Sequence, residues 1–82
     1  MWLVYILRLN NNSLYTGITN DLEKRLAVHA MGKGSKYVRA FKPFELVYKE
    51  EVSNKSIALI RESEIKKWPA MKKWALVKGD IK

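Results

Sequence analysis

Two tyrosines near the N-terminus, each in a short apolar segment, are the side chains of this sequence best placed for chemistry. Tyr5 and Tyr15 lie on what read as two adjacent strands, so one small hairpin supplies two phenols. A helix that carries Arg25 and His29 follows directly, and Glu62 lies at the edge of a later helix's apolar face. Phenols, a guanidinium and one carboxylate suited to a hard metal ion together predict hydrolysis of a phosphodiester.

The charge of the chain favours a polyanionic partner. Its 82 residues include 16 Lys and Arg against 8 Asp and Glu, which gives a formal net charge of +8. A small domain this basic suits nucleic acid, because neutralised phosphates release their counterions. An anionic membrane is the weaker alternative, because no segment joins a strongly apolar face to a basic one. A basic surface that serves only solubility is the other alternative.

Composition also excludes several classes of site. There is no cysteine, so disulfides, thiolate zinc sites and a cysteine nucleophile are ruled out. The apolar run over residues 1–7 is too short to span a membrane, and no basic segment precedes it as in a signal peptide. Because the chain has no internal repeat or linker, a single domain over residues 1–82 is expected. The lack of disulfides fits a reducing compartment, so the cytoplasm is the expected location.

The first two strands are predicted to form a hairpin. Over residues 2–9, a period of two places the odd-numbered residues on one face, and both faces are largely apolar. We therefore expect a central strand covered on both sides. Residues 10–13 form the predicted turn, because asparagine tolerates a left-handed backbone. A second antiparallel strand over residues 14–19 follows, in which Gly17 should let another group approach the backbone closely.

The first helix carries two of the candidate residues. It is predicted to begin at an Asn20 cap, with Glu23 completing a capping box, and to end near Met31. Arg25 and His29 are four residues apart beside its apolar stripe, so they share one helix edge. That edge should line the border of the sheet.

The remaining segments complete an α+β pattern. Residues 32–43 are expected to form a basic loop with interleaved aromatics, and residues 44–52 a third strand. A second helix begins at residues 53–54, and Pro69 opens a short third helix that Gly79 ends. The order β-β-α-β-α-α predicts a three-stranded, largely antiparallel sheet flanked by helices.

Taken together, these segments resemble a GIY-YIG nuclease domain, most of all the small single-domain bacterial endonuclease type. The resemblance covers nearly the whole chain. The matching segments, in order, are residues 4–7, 13–17, 19–22, 25–26 with 29, 32–37, 45–48 and 58–67.

The resemblance implies roles for individual residues. Tyr5 and Tyr15 match the two motif tyrosines, Gly17 the motif glycine, Arg25 the helix arginine and Glu62 the metal-binding glutamate. The family cleaves phosphodiesters with one divalent ion, taken as Mg²⁺ or Mn²⁺, so DNA is the implied partner and RNA stays open. No protein partner is implied. The residues expected to contact substrate are Gly17, Lys33, Lys36, Tyr37, Arg39 and Lys66.

The group that activates the attacking water is left open at this point. A phenol with its ordinary pKa of about 10 is a poor base unless a neighbouring cation lowers that pKa. We favour Tyr5 or Tyr15 for this role, with His29 as the competing base.

One departure from the family pattern motivates a second hypothesis. Larger GIY-YIG enzymes carry a polar residue, often asparagine, after the metal glutamate, whereas no asparagine follows Asn54 here. The alternative is therefore a nucleic-acid-binding module on the same fold with weak or no catalysis. A protein-interaction adaptor is a third hypothesis. The larger enzymes also attach separate DNA-binding domains, which this chain lacks, so low sequence specificity is expected.

Overall fold

The computed structural model describes residues 1–81, and within that range it contains three strands and four helices. The elements in chain order are β1 (Trp2–Arg8), β2 (Leu14–Thr19), α1 (Leu22–Ala30), α2 (Lys36–Ala40), β3 (Glu45–Val52), α3 (Lys55–Lys67) and α4 (Ala70–Lys78). The predicted α+β class is confirmed, as is the order of the predicted elements, and one additional short helix, α2, lies between α1 and β3. None of the helices formed by the described residues has both the length and the apolar character needed to cross a membrane.

The sheet has the strand order β2-β1-β3, with β1 antiparallel to both neighbours. The prediction of a central first strand is therefore confirmed. Tyr5 pairs with Gly17 of β2 on one side and with Lys49 of β3 on the other. Consequently β2 and β3 are the two edges of the sheet.

Helices cover both faces of β1, as its two apolar faces predict. On one face Val4 and Ile6 form a buried cluster with residues of α3 and α4, namely Ala58, Ile65 and Leu76. On the other face Tyr5 and Leu7 pack with Val38 of α2 and with half-buried residues of α1, Leu22 and Leu26. Fully burying each large aliphatic side chain stabilises the fold by about 1.5–3 kcal/mol.

The N-terminus of α1 differs from the prediction by one residue. Asp21, not Asn20, is the cap, and its carboxylate accepts a hydrogen bond of 3.1 Å from the backbone amide of Lys24. The hydroxyl of Thr19 accepts a hydrogen bond of 3.0 Å from the Asp21 amide and so holds Asp21 in an extended conformation. Asn20 and Asp21 could both cap the helix, and the hydrogen bond between the Asp21 amide and Thr19 favours Asp21.

The segment predicted as a basic loop contains the short helix α2. Ser35 caps it by accepting hydrogen bonds from the backbone amides of Tyr37 and Val38. Val38 is fully buried against the Tyr5 side of the sheet. Because Val38 is the one buried residue of this five-residue helix, the sequence shows no helical repeat of apolar residues there. The helix therefore depends on tertiary packing.

Helix α3 is fixed to β3 by a charged pair. The Arg61 guanidinium donates to both carboxylate oxygens of Glu50, at 3.0 and 3.2 Å. It also lies 5.2 Å from the ring centroid of Trp68. Successive residues of a helix are about 100° apart, so a helix anchored to β3 through Arg61 directs Glu62 away from β3. Helix α3 also contacts β2, the opposite edge of the sheet.

Candidate active site

The site begins with the packing of Tyr5 across the edge strand. The Tyr5 side chain is fully buried on the central strand and lies opposite Gly17 of β2. A Cβ atom at Gly17 would lie 2.5 Å from the Tyr5 hydroxyl oxygen and 2.6 Å from Cζ. The ring therefore crosses β2 where that strand has no side chain. The expected close approach at Gly17 is confirmed, and it brings the phenol toward the open edge of the sheet.

Gly17→Ala should destabilise the fold by about 1–3 kcal/mol, because the added methyl group overlaps the Tyr5 ring and forces a buried rearrangement. Urea unfolding monitored by circular dichroism measures this change. The same substitution in a Tyr5→Leu background is the control, and there it should cost much less, since the ring it overlaps is gone. Equal costs in both backgrounds would contradict the proposed overlap.

His29 on α1 lies directly against the Tyr5 hydroxyl. The imidazole is buried, and its Nε2 is 2.9 Å from the Tyr5 oxygen. The Tyr15 and Phe44 rings surround it edge-on, at centroid distances of 5.7 and 6.1 Å. Burial lowers the pKa of His29 from its ordinary value, and the charge of Arg25 lowers it further. These surroundings, which include three aromatic rings, favour the neutral form of the imidazole.

Arg25 and Glu62 supply the charges around this phenol. Burial raises the pKa of Tyr5, and Arg25 opposes that shift through hydrogen bonding and through its positive charge. The neighbouring Tyr15 and the Glu62 carboxylate both raise the pKa. All five expected catalytic residues therefore interact around one phenol. Glu62 lies on α3, which packs on the opposite face of the sheet from α1 and contacts β2. Glu62 therefore approaches the Tyr5 phenol from one side of β2, and Arg25 and His29 of α1 approach it from the other.

Glu62 is the one member of this group suited to a hard metal ion. Its side chain is 19% exposed, and its Oε2 lies 3.4 Å from Nζ of Lys66, one turn later on α3. No group of three or more His, Cys, Asp or Glu side chains in the described part of the chain could hold a metal ion by itself. A single carboxylate suits Mg²⁺, which keeps several waters and binds substrate phosphate alongside one or two protein oxygens. The donor set thus fits an ion shared with substrate.

Four of the residues expected to contact substrate lie on or beside α2, and they are far from Glu62 in the sequence. Lys33, Lys36 and Arg39 are exposed. Tyr37 is 44% exposed, and its ring packs on Phe41 at a centroid distance of 5.0 Å.

The hairpin turn fixes the other end of Tyr37. Its hydroxyl lies 3.1 Å from the Ser13 hydroxyl and accepts a weaker hydrogen bond of 3.4 Å from the Asn11 amide. These two hydrogen bonds lower the pKa of Tyr37. The result is an exposed aromatic ring held rigidly among cationic side chains. Lys66 is not part of this surface, because it pairs with Glu62 on α3.

Two residues that contact His29 were not predicted from the sequence. Phe44 packs against the ring, and Gly34 lies so close that a Cβ atom there would be 2.5 Å from His29 Nδ1. Gly34 belongs to a segment that matches the family pattern, which was the only available signal. Phe44 directly follows the cis Lys42-Pro43 bond, and nothing in its sequence context distinguishes it from a core aromatic.

A model of the GIY-YIG catalytic domain matches residues 1–74. The chain therefore belongs to the GIY-YIG catalytic-domain family, a family of nucleases, and the resemblance inferred from its motifs is confirmed.

Similar proteins carry the UPF0213 name. A UPF0213 protein of Oceanobacillus iheyensis is 50% identical over 74 residues, which cover 90% of this chain and 86% of the relative. One of Staphylococcus haemolyticus is 46% identical over 74 residues, which cover 90% of each chain. The solution NMR structure of a UPF0213 protein of Bacillus halodurans is similar with a TM-score of 0.61 and 42% identity. That match covers 95% of this chain and 84% of the other.

Proposed function

We propose that the protein is a divalent-metal-dependent endonuclease that hydrolyses DNA phosphodiester bonds with low sequence specificity. The observation that carries this proposal is the convergence of Tyr5, Tyr15, Arg25, His29 and Glu62 across the edge strand β2. In a member of a nuclease family, this combination suits attack on a phosphate.

Arg25 binds the scissile phosphate in this proposal. A planar guanidinium forms paired hydrogen bonds with phosphate oxygens and neutralises their charge. Arg25 is half-buried, and its Nε has no hydrogen-bond partner within the described residues. A buried donor without a partner is costly, so a substrate phosphate would satisfy it.

Tyr5 positions the attacking water and, once its own hydroxyl proton has been lost to solvent, takes the proton of that water as the phenolate. Its hydroxyl is held by His29, and the charged groups that act on its pKa are Arg25 and Glu62. Tyr15 lies beside His29 and lines the same edge. Because burial raises the pKa of Tyr5, its activation depends on the positive charge of Arg25 and of a bound cation.

Glu62 would hold Mg²⁺ or Mn²⁺ at the candidate site. When bound, such an ion supplies stabilisation of the negative charge on the phosphate and on the departing oxygen. The carboxylate is half-buried, so its position is constrained, and Lys66 neutralises it until a cation binds. The low number of protein ligands leaves room for substrate oxygens.

The exposed cations beside α2 are proposed to bind the DNA backbone near the site. Tyr37 offers a rigid ring on which an unpaired base could stack, as aromatic side chains do in single-strand-binding proteins. Structured or single-stranded DNA is therefore the proposed substrate form.

A cleavage assay with purified protein tests this function. Single-stranded, duplex and branched DNA should be incubated with increasing Mg²⁺ or Mn²⁺, and with chelator as the control. We expect cleavage that requires the metal and differs among the three DNA forms. If none of them is cut at any metal concentration, the proposed activity is wrong.

A second candidate is a nucleic-acid-binding module without useful catalysis. Its specific support is the pairing of Glu62 with Lys66, because that ammonium competes with a cation for the one suitable carboxylate. The lack of an asparagine after Asn54 points the same way. This candidate predicts DNA or RNA binding with no metal-dependent cleavage.

Lys36→Glu and Arg39→Glu should each weaken nucleic-acid binding under either candidate function. Each substitution removes one phosphate contact, so the slope of log affinity against log salt should fall by roughly one. Fluorescence anisotropy with a labelled oligonucleotide at several salt concentrations measures that slope. Lys78→Glu is the matched control, because Lys78 is an exposed lysine on α4, which packs on the face of β1 opposite to α2. An equal loss in all three variants would mean that binding reflects only net charge.

A further inference from the structure

The two ring nitrogens of His29 lie in different surroundings. Nε2 is 2.9 Å from the Tyr5 hydroxyl oxygen. Nδ1 is buried and has no hydrogen-bond partner among the described residues. A neutral imidazole carries one proton, so the hydrogen bond to Tyr5 has two forms that differ in which residue donates.

Gly34 closes the Nδ1 side of the ring. A Cβ atom at Gly34 would lie 2.5 Å from Nδ1, 2.8 Å from Cε1 and 3.2 Å from Cγ. Gly34 is not among the glycines with a positive φ, so its backbone conformation is open to other residues. Glycine is required at this position because the imidazole of His29 occupies the space that a side chain would need. The rings of Tyr5, Tyr15 and Phe44 also contact the imidazole, so they restrict its movement away from Gly34.

This packing favours one tautomer over the other. With the proton on Nδ1, a buried N–H would face the Gly34 backbone without an acceptor. With the proton on Nε2, the N–H points at the Tyr5 oxygen, and only a lone pair is left unsatisfied at Nδ1. Buried N–H groups without a partner are rarer in proteins than acceptors with unused lone pairs.

We propose that Gly34 is a positioning residue that fixes His29 as the Nε2–H tautomer, so that His29 donates its hydrogen bond to Tyr5. The hydroxyl proton of Tyr5 then points away from His29, and its loss to solvent leaves a phenolate that still accepts the hydrogen bond from His29 Nε2–H. His29 in this form cannot accept a proton from water through Nε2, which leaves the phenol as the group that contacts the water. The assignment of the tautomer stands by itself, whereas its catalytic meaning rests on the proposed nuclease function.

The wild-type protein tests the tautomer directly. His29 is the only histidine of the chain, so a long-range ¹H–¹⁵N spectrum of uniformly labelled protein contains just one imidazole. At mildly alkaline pH we expect a protonated-type shift for Nε2 and an unprotonated-type shift for Nδ1. A protonated Nδ1, or shifts averaged between the two tautomers, would overturn the proposal. The measurement needs neither DNA nor metal, so it succeeds or fails independently of the nuclease activity.

Gly34→Ala tests the positioning role. The new methyl group should displace the imidazole, average the two nitrogen shifts and lower kcat by roughly tenfold or more with little change in KM. Ser35→Ala is the control, because it removes the cap of α2 next to Gly34 but adds no atom against His29. It should keep the wild-type nitrogen shifts. A Gly34→Ala protein that also keeps them would refute the role, and the wild-type spectrum decides the tautomer even if this variant does not fold.

Discussion

Glu62→Gln should lower kcat for metal-dependent DNA cleavage by a hundredfold or more. The substitution preserves the size of the side chain but replaces the anionic ligand with a neutral amide, which binds a hard cation much more weakly. Loss of several kcal/mol of charge stabilisation in the transition state corresponds to a rate loss of this size. Initial cleavage rates across a Mg²⁺ and Mn²⁺ titration provide the measurement.

Glu64→Gln is the matched control for this variant. Glu64 lies on the same helix two residues later and is exposed, so the two variants carry the same change in net charge. We expect wild-type cleavage by the Glu64→Gln protein. The stability of both variants should remain near that of the wild type, because the Glu62–Lys66 pair is a helix-surface pair worth about 0.5 kcal/mol or less.

Measuring the DNA affinity of the Glu62→Gln variant beside its cleavage rate distinguishes the nuclease from the binding module. DNA affinity should be unchanged or slightly higher, since the variant removes a negative charge near the phosphate path. Retained binding with abolished cleavage supports the nuclease. If the wild type and the variant cleave equally well, Glu62 is not the metal ligand.

Tyr5→Phe should lower kcat by about 10²–10⁴-fold, the range expected for loss of a proton-transfer group. The phenylalanine ring can still pack across Gly17, so the change is confined to the hydroxyl that lies 2.9 Å from His29 Nε2. Single-turnover cleavage with saturating protein measures the chemical step. KM should change little, because the phosphate is bound by Arg25 and the basic side chains.

Tyr48→Phe is the control for removal of a hydroxyl. Tyr48 donates its hydrogen bond to Glu50 on β3, and burial together with that carboxylate raises its pKa to about 12. We expect this variant to cleave as fast as the wild type. Tyr15→Phe is the third variant. If kcat falls greatly in Tyr15→Phe but little in Tyr5→Phe, the proton-transfer role belongs to Tyr15.

Much of the fold follows from local patterns. The limits of β2, and those of β1 to within one residue, are evident from alternation of side chains and from the asparagine-rich turn, where Asn12 adopts a positive φ of 65°. The central place of β1 follows from its two apolar faces. The sequence places the start of α1 one residue too early, because Asn20 and Asp21 are both competent caps and only the hydrogen bond from the Asp21 amide to the Thr19 hydroxyl distinguishes them.

The candidate site was predictable as a set of residues but not as an arrangement. Residue types and family motifs indicate Tyr5, Tyr15, Arg25 and Glu62. The spacing of four residues also permits an ion pair between Glu62 and Lys66, but only the structure shows that this pair forms. Residue types and motifs leave His29 open as a competing base, and its burial against Tyr5 and Gly34 supports the proposed role of a hydrogen-bond donor to Tyr5.

By itself, the sequence determined a basic α+β domain with a hairpin carrying two phenols, because charge and side-chain period are local properties of the chain. Only the tertiary structure decided how the phenol of Tyr5 passes over Gly17 at the sheet edge. It alone also decided that Arg25 and His29 reach this phenol from α1, while the charge of Glu62 acts on it from a helix on the opposite face. These contacts join residues far apart in the chain, and they depend on how helices pack on the two faces of one strand.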